Sequence, residues 1–304
     1  MHFSDILREQ GTTVSFEFFP PRSEKASGDL FRSVAELQLL KPAFVSITYG
    51  AGGSTRQLTH DLVLRVRERT KLAVVPHLTC LGHSRADIAS LLDSYASAGI
   101  GTIMALRGDP IKGPSASADP GDFRFASCLV KFIQEFNEQG SHPDPRGFAV
   151  GVAGYPEGHH ATPNRLREMD YLKAKVDAGA SFIITQLFFD NRDFYDFRER
   201  CHLAGIRVPI IAGVMPITSL AGMRKMADLA LGVRFPAPLL RAVARAGEDD
   251  ECVRRVGLHW ATEQCRDLLD HRVSGVHLYT LNKSTATREI YANLGVKDST
   301  ALVG

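Results

Sequence analysis

The chain has 304 residues, 44% of them hydrophobic and 23% charged, which is typical of a globular protein and excludes collagen-like and disordered classes. Its 36 Lys and Arg residues nearly balance 34 Asp and Glu residues, so it lacks the basic surplus that favours binding to phosphate backbones, and nucleic acid is not an expected partner. The apolar runs fall far short of the roughly 18 residues that cross a bilayer, so no membrane association is predicted.

The five cysteines, Cys80, Cys128, Cys201, Cys252 and Cys265, are odd in number and widely scattered. This spacing argues against a disulfide framework. The first eleven residues mix charged with apolar side chains and therefore lack the apolar core of a secretory signal. We expect a cytoplasmic protein.

Short β-rich runs alternate with longer segments of helical periodicity along the whole chain. Most of these runs are apolar on both faces, which is typical of parallel strands covered by helices. The predicted strands are Thr13–Phe19, Ala43–Tyr49, Leu72–Thr79, Gly101–Leu106, Phe148–Tyr155, Ser181–Phe189, Val208–Val214 and Gly275–Leu281.

Between the strands, apolar residues recur at steps of three and four, which predicts amphipathic helices. The clearest recurrences run from Phe125 to Phe136, from Leu166 to Val176 and from Phe194 to Ala204. The long stretch before the last strand leaves room for an extra helix near Phe235–Gly247, followed by a helix over Glu248–His271. Predicted helix C-caps lie at Gly99, Gly179 and Gly205.

Eight strand–helix units without a linker predict an α/β fold, a single-domain (β/α)8 barrel over residues 1–304. A doubly wound sheet is the alternative. The segment Gly113–Asp122 is predicted to be a mobile loop.

A barrel of this kind carries its chemistry at the carboxyl-terminal ends of the strands. Polar residues gather there in seven of the eight predicted strands. They are Glu17; Ser46, Thr48 and Tyr49; His77 and Thr79; Arg107, Gly108 and Asp109; Tyr155, Glu157 and His159; Gln186; and Tyr279, Thr280 and Asn282. The sequence therefore predicts a site at this mouth of the barrel.

Glu17 is the candidate general acid. It is flanked by Phe16, Phe18 and Phe19, and aromatic surroundings disfavour a charged carboxylate, as a general acid near neutral pH requires. The alternative is a strand-end carboxylate that hydrogen-bonds a neighbouring loop and has only a structural role.

Other motifs leave two interpretations open. Gly50–Gly53 could cradle a phosphate or form a turn with positive φ. Arg107-Gly108-Asp109 could let a flat ligand approach the backbone or form a salt-bridged turn, and Tyr155 with His159 could stack on a planar ring or belong to a plain turn.

The triplet His77, Cys80 and His83 matches none of the usual zinc spacings, and no metal is expected. A flavin-free barrel lyase or a metal hydrolase that uses His77, Cys80, His159 and His160 is the alternative enzyme class.

Seven motifs in chain order resemble those of the methylenetetrahydrofolate reductases. They are VSFEFFPPR (14–22), FVSITYGAGGSTR (44–56), PHLTC (76–80), ALRGDP (105–110), GYPEGH (154–159), KVDAGASFIITQLFFD (175–190) and HLYTLN (277–282). The resemblance implies a (β/α)8 flavoprotein that reduces 5,10-methylenetetrahydrofolate to 5-methyltetrahydrofolate for methionine synthesis. It implies ping-pong use of NADH or NADPH through bound FAD, the catalytic barrel alone as in bacterial members, and a homo-oligomer.

The resemblance also implies roles for individual residues. Glu17 matches the general acid that opens the folate's five-membered ring, and Asp109 matches a carboxylate beside flavin and pterin that favours the cationic iminium. Gln186 matches a pterin contact, and Lys283 stands where an arginine commonly contacts the substrate. The positions that match FAD contacts are Thr48, Tyr49, Ala51, His77, Arg107, Gly108, Asp109, Ala126, Tyr155, His159 and Lys175.

Some positions depart from the family pattern. Phe125 replaces a tyrosine and removes a hydroxyl from a flavin contact. Glu168, Tyr171 and Ala174 stand where an aspartate, an asparagine and an arginine are common, so one cationic phosphate contact is missing. Met226 replaces a phenylalanine that stacks on folate or nicotinamide in some members.

Overall fold

Eight parallel strands form a closed barrel in a computed structural model that describes residues 1–49, 56–108, 121–230 and 232–302. Each strand pairs with the next one along the chain, and the last strand pairs with the first. The strands are β1 (Thr13–Phe18), β2 (Phe44–Ile47), β3 (Val74–Thr79), β4 (Thr102–Leu106), β5 (Ala149–Gly154), β6 (Phe182–Thr185), β7 (Ile210–Val214) and β8 (Gly275–Tyr279). The predicted single-domain (β/α)8 barrel is confirmed, and the doubly wound sheet is not.

Helices surround the barrel. They are α1 (Phe3–Gln10), α2 (Glu24–Gln38), α3 (Arg56–Arg69), α4 (Arg85–Ser97), α5 (Ala126–Glu138), α6 (Arg165–Asp177), α7 (Asn191–Leu203), α8 (Leu220–Leu229), α9 (Ala237–Ala246), α10 (Asp250–Asp270) and α11 (Thr285–Asn293). The extra helix predicted before β8 is α9, and the helix predicted over Glu248–His271 is α10. Among the described residues, no helix has both the length and the apolarity to span a membrane.

Glycines end several helices as predicted. Gly99, Gly179 and Gly205 follow α4, α6 and α7 with φ of 69°, 111° and 77°, a backbone conformation that costs other residues strain. Of the predicted loop 113–122, only Gly121 and Asp122 are described, and residues 50–53 lie outside the described ranges.

The core has an outer layer between strands and helices and an inner layer inside the barrel. Phe44, Met104 and Phe182 fill the inner layer. Helix α1 covers the amino-terminal end of the barrel, where Phe3 stacks on Phe182 with ring centroids 3.9 Å apart. Gly151 makes room for these rings, because a Cβ there would lie 2.4 Å from Phe182. This packing leaves the carboxyl-terminal mouth as the place for a site.

Candidate active site

The carboxyl group of Glu17 lies between two imidazole rings. Its Oε2 atom is 3.6 Å from His77 Nε2 on β3 and 3.6 Å from His277 Nε2 on β8. The Glu17 side chain is 18% exposed, so it is largely enclosed yet reachable from the mouth. Strand register places Glu17 beside Ser46 on β2 and Tyr279 on β8.

The predicted aromatic surroundings of Glu17 are wrong. Successive side chains of a strand point to opposite faces, so Phe16 and Phe18 enter the outer layer of the core. Phe16 packs edge to face against Tyr291 of α11, with centroids 6.2 Å apart. Phe19 lies beyond the end of β1 and is 42% exposed. Polar side chains, above all the two histidines, surround the carboxyl group instead.

His277 is the residue that sequence reasoning missed. It is fully buried, with Nδ1 2.7 Å from Ser15 Oγ and Nε2 3.2 Å from Ser46 Oγ. The ring stacks on Phe44, with centroids 6.0 Å apart. The available signal was the alternation in β8, which puts His277 and Tyr279 on the face opposite Val276 and Leu278.

Burial sets the protonation of the groups around Glu17. It lowers the pKa of His77 below its ordinary 6.5, and the Glu17 carboxylate opposes this effect only in part. His77 is therefore neutral at pH 7. Burial, reinforced by the Glu17 charge, raises the pKa of Tyr279 well above 10. The Tyr279 hydroxyl stays protonated and donates to the Thr185 carbonyl at 2.7 Å.

Gly108, at the end of β4, brings bare backbone to the mouth. Its φ is 86°, and a Cβ there would lie 3.0 Å from Thr79 Cβ, so both conformation and space require glycine. The neighbouring Arg107 is exposed, and its carbonyl accepts from the Leu81 amide at 2.9 Å. Asp109 and Ala51, also predicted at this site, lie outside the described residues.

Thr48 and Tyr49 end β2 at the same mouth. The Thr48 amide donates to the Phe18 carbonyl at 2.9 Å, which extends the β1–β2 pairing past the strands. The Tyr49 hydroxyl is 3.0 Å from His83 Nε2. Both predicted contact residues are therefore held in place, and their side chains are partly exposed.

The ends of β5 and β6 add an aromatic pair and an amide. The rings of Tyr155 and His159 meet edge to face, with centroids 4.7 Å apart, and His159 stacks on His160 at 4.6 Å. The backbone amide of Gln186 donates to the Gly154 carbonyl at 2.8 Å. The side-chain Oε1 of Gln186 accepts from the Leu187 backbone amide at 2.9 Å.

Lys175 of α6 turns inward onto β5. Its Nζ donates to the Ala153 carbonyl at 2.6 Å, and burial lowers the pKa of the amine to about 8 despite the nearby Glu168 carboxylate. Burial also raises the pKa of Glu168, which accepts from the His159 backbone amide. Holding the charged Lys175 amine in this buried position beside the mouth therefore costs stability, because the charge is desolvated.

The positions that depart from the family pattern fall in different places. Phe125 caps α5, directly before Ala126, and stacks on Tyr171 of α6 with centroids 6.2 Å apart. Both rings are exposed. Met226 is 4% exposed and packs in a cluster with Met223, so its side chain does not present a free surface.

The loop after β8 is tied to the end of β1. The Asn282 side chain accepts from the Phe19 amide at 2.9 Å and donates to the Phe19 carbonyl at 2.8 Å. Thr280 Oγ1 donates to the Glu17 carbonyl at 2.6 Å. Lys283, predicted to contact substrate, is exposed on this loop.

Metal-ligand geometry is not found among these groups. Within residues 1–49, 56–108, 121–230 and 232–302, no three His, Cys, Asp or Glu side chains are placed to hold a metal ion. The Cys80 thiol is buried and faces the Arg107 carbonyl at 3.6 Å, and burial raises its pKa to about 12. The alternative based on His77, Cys80, His159 and His160 is therefore not favoured.

Comparison with solved structures supports the fold. A protein from Clostridium thermocellum that binds two copies of 5-methyl-5,6,7,8-tetrahydrofolic acid superimposes with a TM-score of 0.66 at 13% identity, over 97% of this chain and 99% of that chain. At this identity the likeness concerns the barrel alone.

Comparison of sequences is more specific. The chain is 37% identical over 284 residues to 5,10-methylenetetrahydrofolate reductase of Escherichia coli (strain K12), which covers 93% of this chain and 91% of that protein. It is 38% identical over 307 residues to methylenetetrahydrofolate reductase (NADH) 1 of Arabidopsis thaliana, covering 97% of this chain and 50% of that protein, so it spans half the length of the plant relative. The family model described as methylenetetrahydrofolate reductase matches residues 2–295. The chain therefore belongs to the methylenetetrahydrofolate reductase family.

Proposed function

We propose that the protein reduces 5,10-methylenetetrahydrofolate to 5-methyltetrahydrofolate, using NADH or NADPH and non-covalently bound FAD. The observation that carries this proposal is the partly exposed Glu17 carboxyl group between His77 and His277 at the carboxyl-terminal mouth. The printed name of the Escherichia coli relative specifies this folate, and that of the Arabidopsis relative specifies NADH.

The residues at the mouth fit a dinucleotide flavin. Gly108 offers backbone without a side chain, which a flat ring can approach. Lys175 supplies a positive charge for a pyrophosphate, and the Tyr155–His159 pair supplies aromatic surface. When bound, FAD supplies two-electron transfer between a nicotinamide and the folate.

The proton step belongs to Glu17. A carboxylic acid at the mouth can protonate a ring nitrogen of the folate, which opens the five-membered ring and leaves a cationic iminium that accepts hydride. Neutral His77 at 3.6 Å places no positive charge beside the Glu17 carboxyl group. We propose that Asp109, outside the described residues, stabilises the iminium by its negative charge.

The test follows the visible spectrum of purified protein under anaerobic conditions. Flavin absorbance should bleach on adding NADH or NADPH and return on adding 5,10-methylenetetrahydrofolate, with 5-methyltetrahydrofolate as product. Acid precipitation should release the flavin into the supernatant. A colourless protein that does not take up FAD, or one whose bleached spectrum persists with the folate, would contradict the proposal.

A further inference from the structure

We infer that His277 is the positioning residue that holds the Glu17 carboxyl group in its reactive orientation. This inference rests on the proposed function, because it concerns the same proton step. It deepens that function by assigning the step a second residue, one that lies behind the acid rather than against the substrate.

The surroundings of His277 fix its ring. Nδ1 lies 2.7 Å from Ser15 Oγ, and Nε2 lies 3.2 Å from Ser46 Oγ. Phe44 stacks on one side of the ring at 6.0 Å, and Tyr279 meets it edge to face at 5.3 Å. A ring held at both nitrogens and packed against two aromatic side chains has a single orientation available.

That orientation directs Nε2 at the acid. When Ser15 Oγ donates to Nδ1, the Nε2 atom carries a proton, and it faces both Ser46 Oγ at 3.2 Å and Glu17 Oε2 at 3.6 Å. His77 of β3 approaches the same oxygen at 3.6 Å. Glu17 extends from a strand on rotatable bonds, so these contacts restrict where its carboxyl group can lie.

Burial separates His277 from the substrate. The residue has no exposed surface, whereas Glu17 is 18% exposed, so a folate in the mouth meets Glu17 and not the imidazole. His277 therefore acts through Glu17. Small misplacements of a reacting group cost rates of about 10²-fold, which sets the size of the effect expected when the support is removed.

The experiment compares His277→Leu with wild type in anaerobic stopped flow. The rate of flavin bleaching by the nicotinamide should stay within about threefold, while the rate of the folate step falls about 10- to 100-fold. The dissociation constant for the folate should change less than about threefold. This division between rate and binding is not what a general loss of structure produces.

A double variant supplies the decisive readout. If His277 acts only through Glu17, Glu17→Gln/His277→Leu should lose no more of the folate step than Glu17→Gln alone, since residues that act as a unit are not additive. The matched control is His142→Leu. His142 is another buried histidine, in the segment before β5, and its Nε2 atom lies 2.9 Å from the Ile100 carbonyl oxygen. This control substitution should leave the folate step unchanged.

Two results would overturn the inference: a folate step within about threefold of wild type in His277→Leu, or losses that multiply in the double variant. If His277→Leu does not fold, Ser15→Ala decides the matter, because it frees Nδ1 and removes only one oxygen. A normal folate step in Ser15→Ala would then overturn the inference. Wild-type protein that reduces no folate contradicts the proposed function itself, which keeps the two failures distinct.

Discussion

Replacing Lys175 with methionine should raise the free energy of unfolding of the flavin-free protein and lower its affinity for FAD. Methionine keeps the length of the side chain and removes the buried charge. The Lys175 amine donates to the Ala153 carbonyl at 2.6 Å and is the buried cation beside the proposed pyrophosphate site. The same residue therefore costs stability and supports cofactor binding.

The structure sets the size of both effects. Burial lowers the pKa of Lys175 to about 8 from its ordinary 10.5, which at about 1.4 kcal/mol per pKa unit amounts to about 3 kcal/mol against folding with the amine charged. Losing the hydrogen bond to Ala153 removes about 1 kcal/mol, so Lys175→Met should raise the free energy of unfolding at pH 7 by about 2 kcal/mol. A lost charge-assisted phosphate contact should weaken FAD binding about tenfold or more.

The gain in stability should depend on pH. Below pH 8 the amine is charged in both the folded and the unfolded chain, and the full desolvation cost is present. Between pH 8 and 10.5 the unfolded chain binds more protons than the folded one, so wild-type stability rises with pH relative to the variant. The advantage of Lys175→Met should therefore shrink over this range.

Urea unfolding of the flavin-free protein at pH 7 and pH 10 measures the stability, and flavin fluorescence measures FAD affinity. The matched control is Lys173→Met, on the same helix, where an exposed lysine pairs with Asp177. It should change stability by no more than about 1 kcal/mol and leave FAD affinity unchanged. Equal FAD affinity in Lys175→Met and wild type, or a less stable Lys175→Met protein at pH 7, would refute the reasoning.

Two further substitutions test the shape of the mouth. Gly108→Ala puts a Cβ 3.0 Å from Thr79 Cβ at a residue with positive φ. It should therefore lower the free energy of unfolding by about 1 to 2 kcal/mol and weaken FAD binding. Urea unfolding and a flavin titration measure the two effects, and unchanged values of both would contradict the prediction. Asn282→Ala removes two hydrogen bonds to Phe19 from a residue with φ of 61°, and should cost about 1 to 3 kcal/mol in thermal or urea unfolding. A variant as stable as wild type would show that the loop after β8 is not tied to β1 in solution.

The sequence predicts the barrel well because its strands carry local signals. Period-two alternation and apolar runs locate all eight strands, and the predicted strands overshoot the observed ones at one or both ends. The largest difference is at the carboxyl end of β6, where Ser181–Phe189 was predicted and Phe182–Thr185 is observed. The role of α1 in covering the amino-terminal end was not predicted, since no local pattern shows that Phe3 meets Phe182.

The site is predicted less completely than the barrel, because the residues that meet there are distant from one another in the sequence. Glu17 and His77 were identified as separate candidates, but the contact between them and the role of His277 depend on barrel closure between β1 and β8. The aromatic neighbours of Glu17 in sequence point away from it. Likewise, helical periodicity places Lys175 on α6 but cannot show that its amine is buried against β5.

We propose that Glu17 provides the proton for the folate and has no part in the transfer of electrons from the nicotinamide to the flavin. Anaerobic stopped flow on Glu17→Gln separates the two steps, because the amide matches the acid in volume but cannot donate a proton in the same way. Flavin bleaching by NADH or NADPH should stay within about tenfold of wild type, while the return of colour with 5,10-methylenetetrahydrofolate slows by about 10²- to 10⁴-fold. A variant that regains its colour with the folate at the wild-type rate would contradict the account and leave Glu17 as a structural carboxylate.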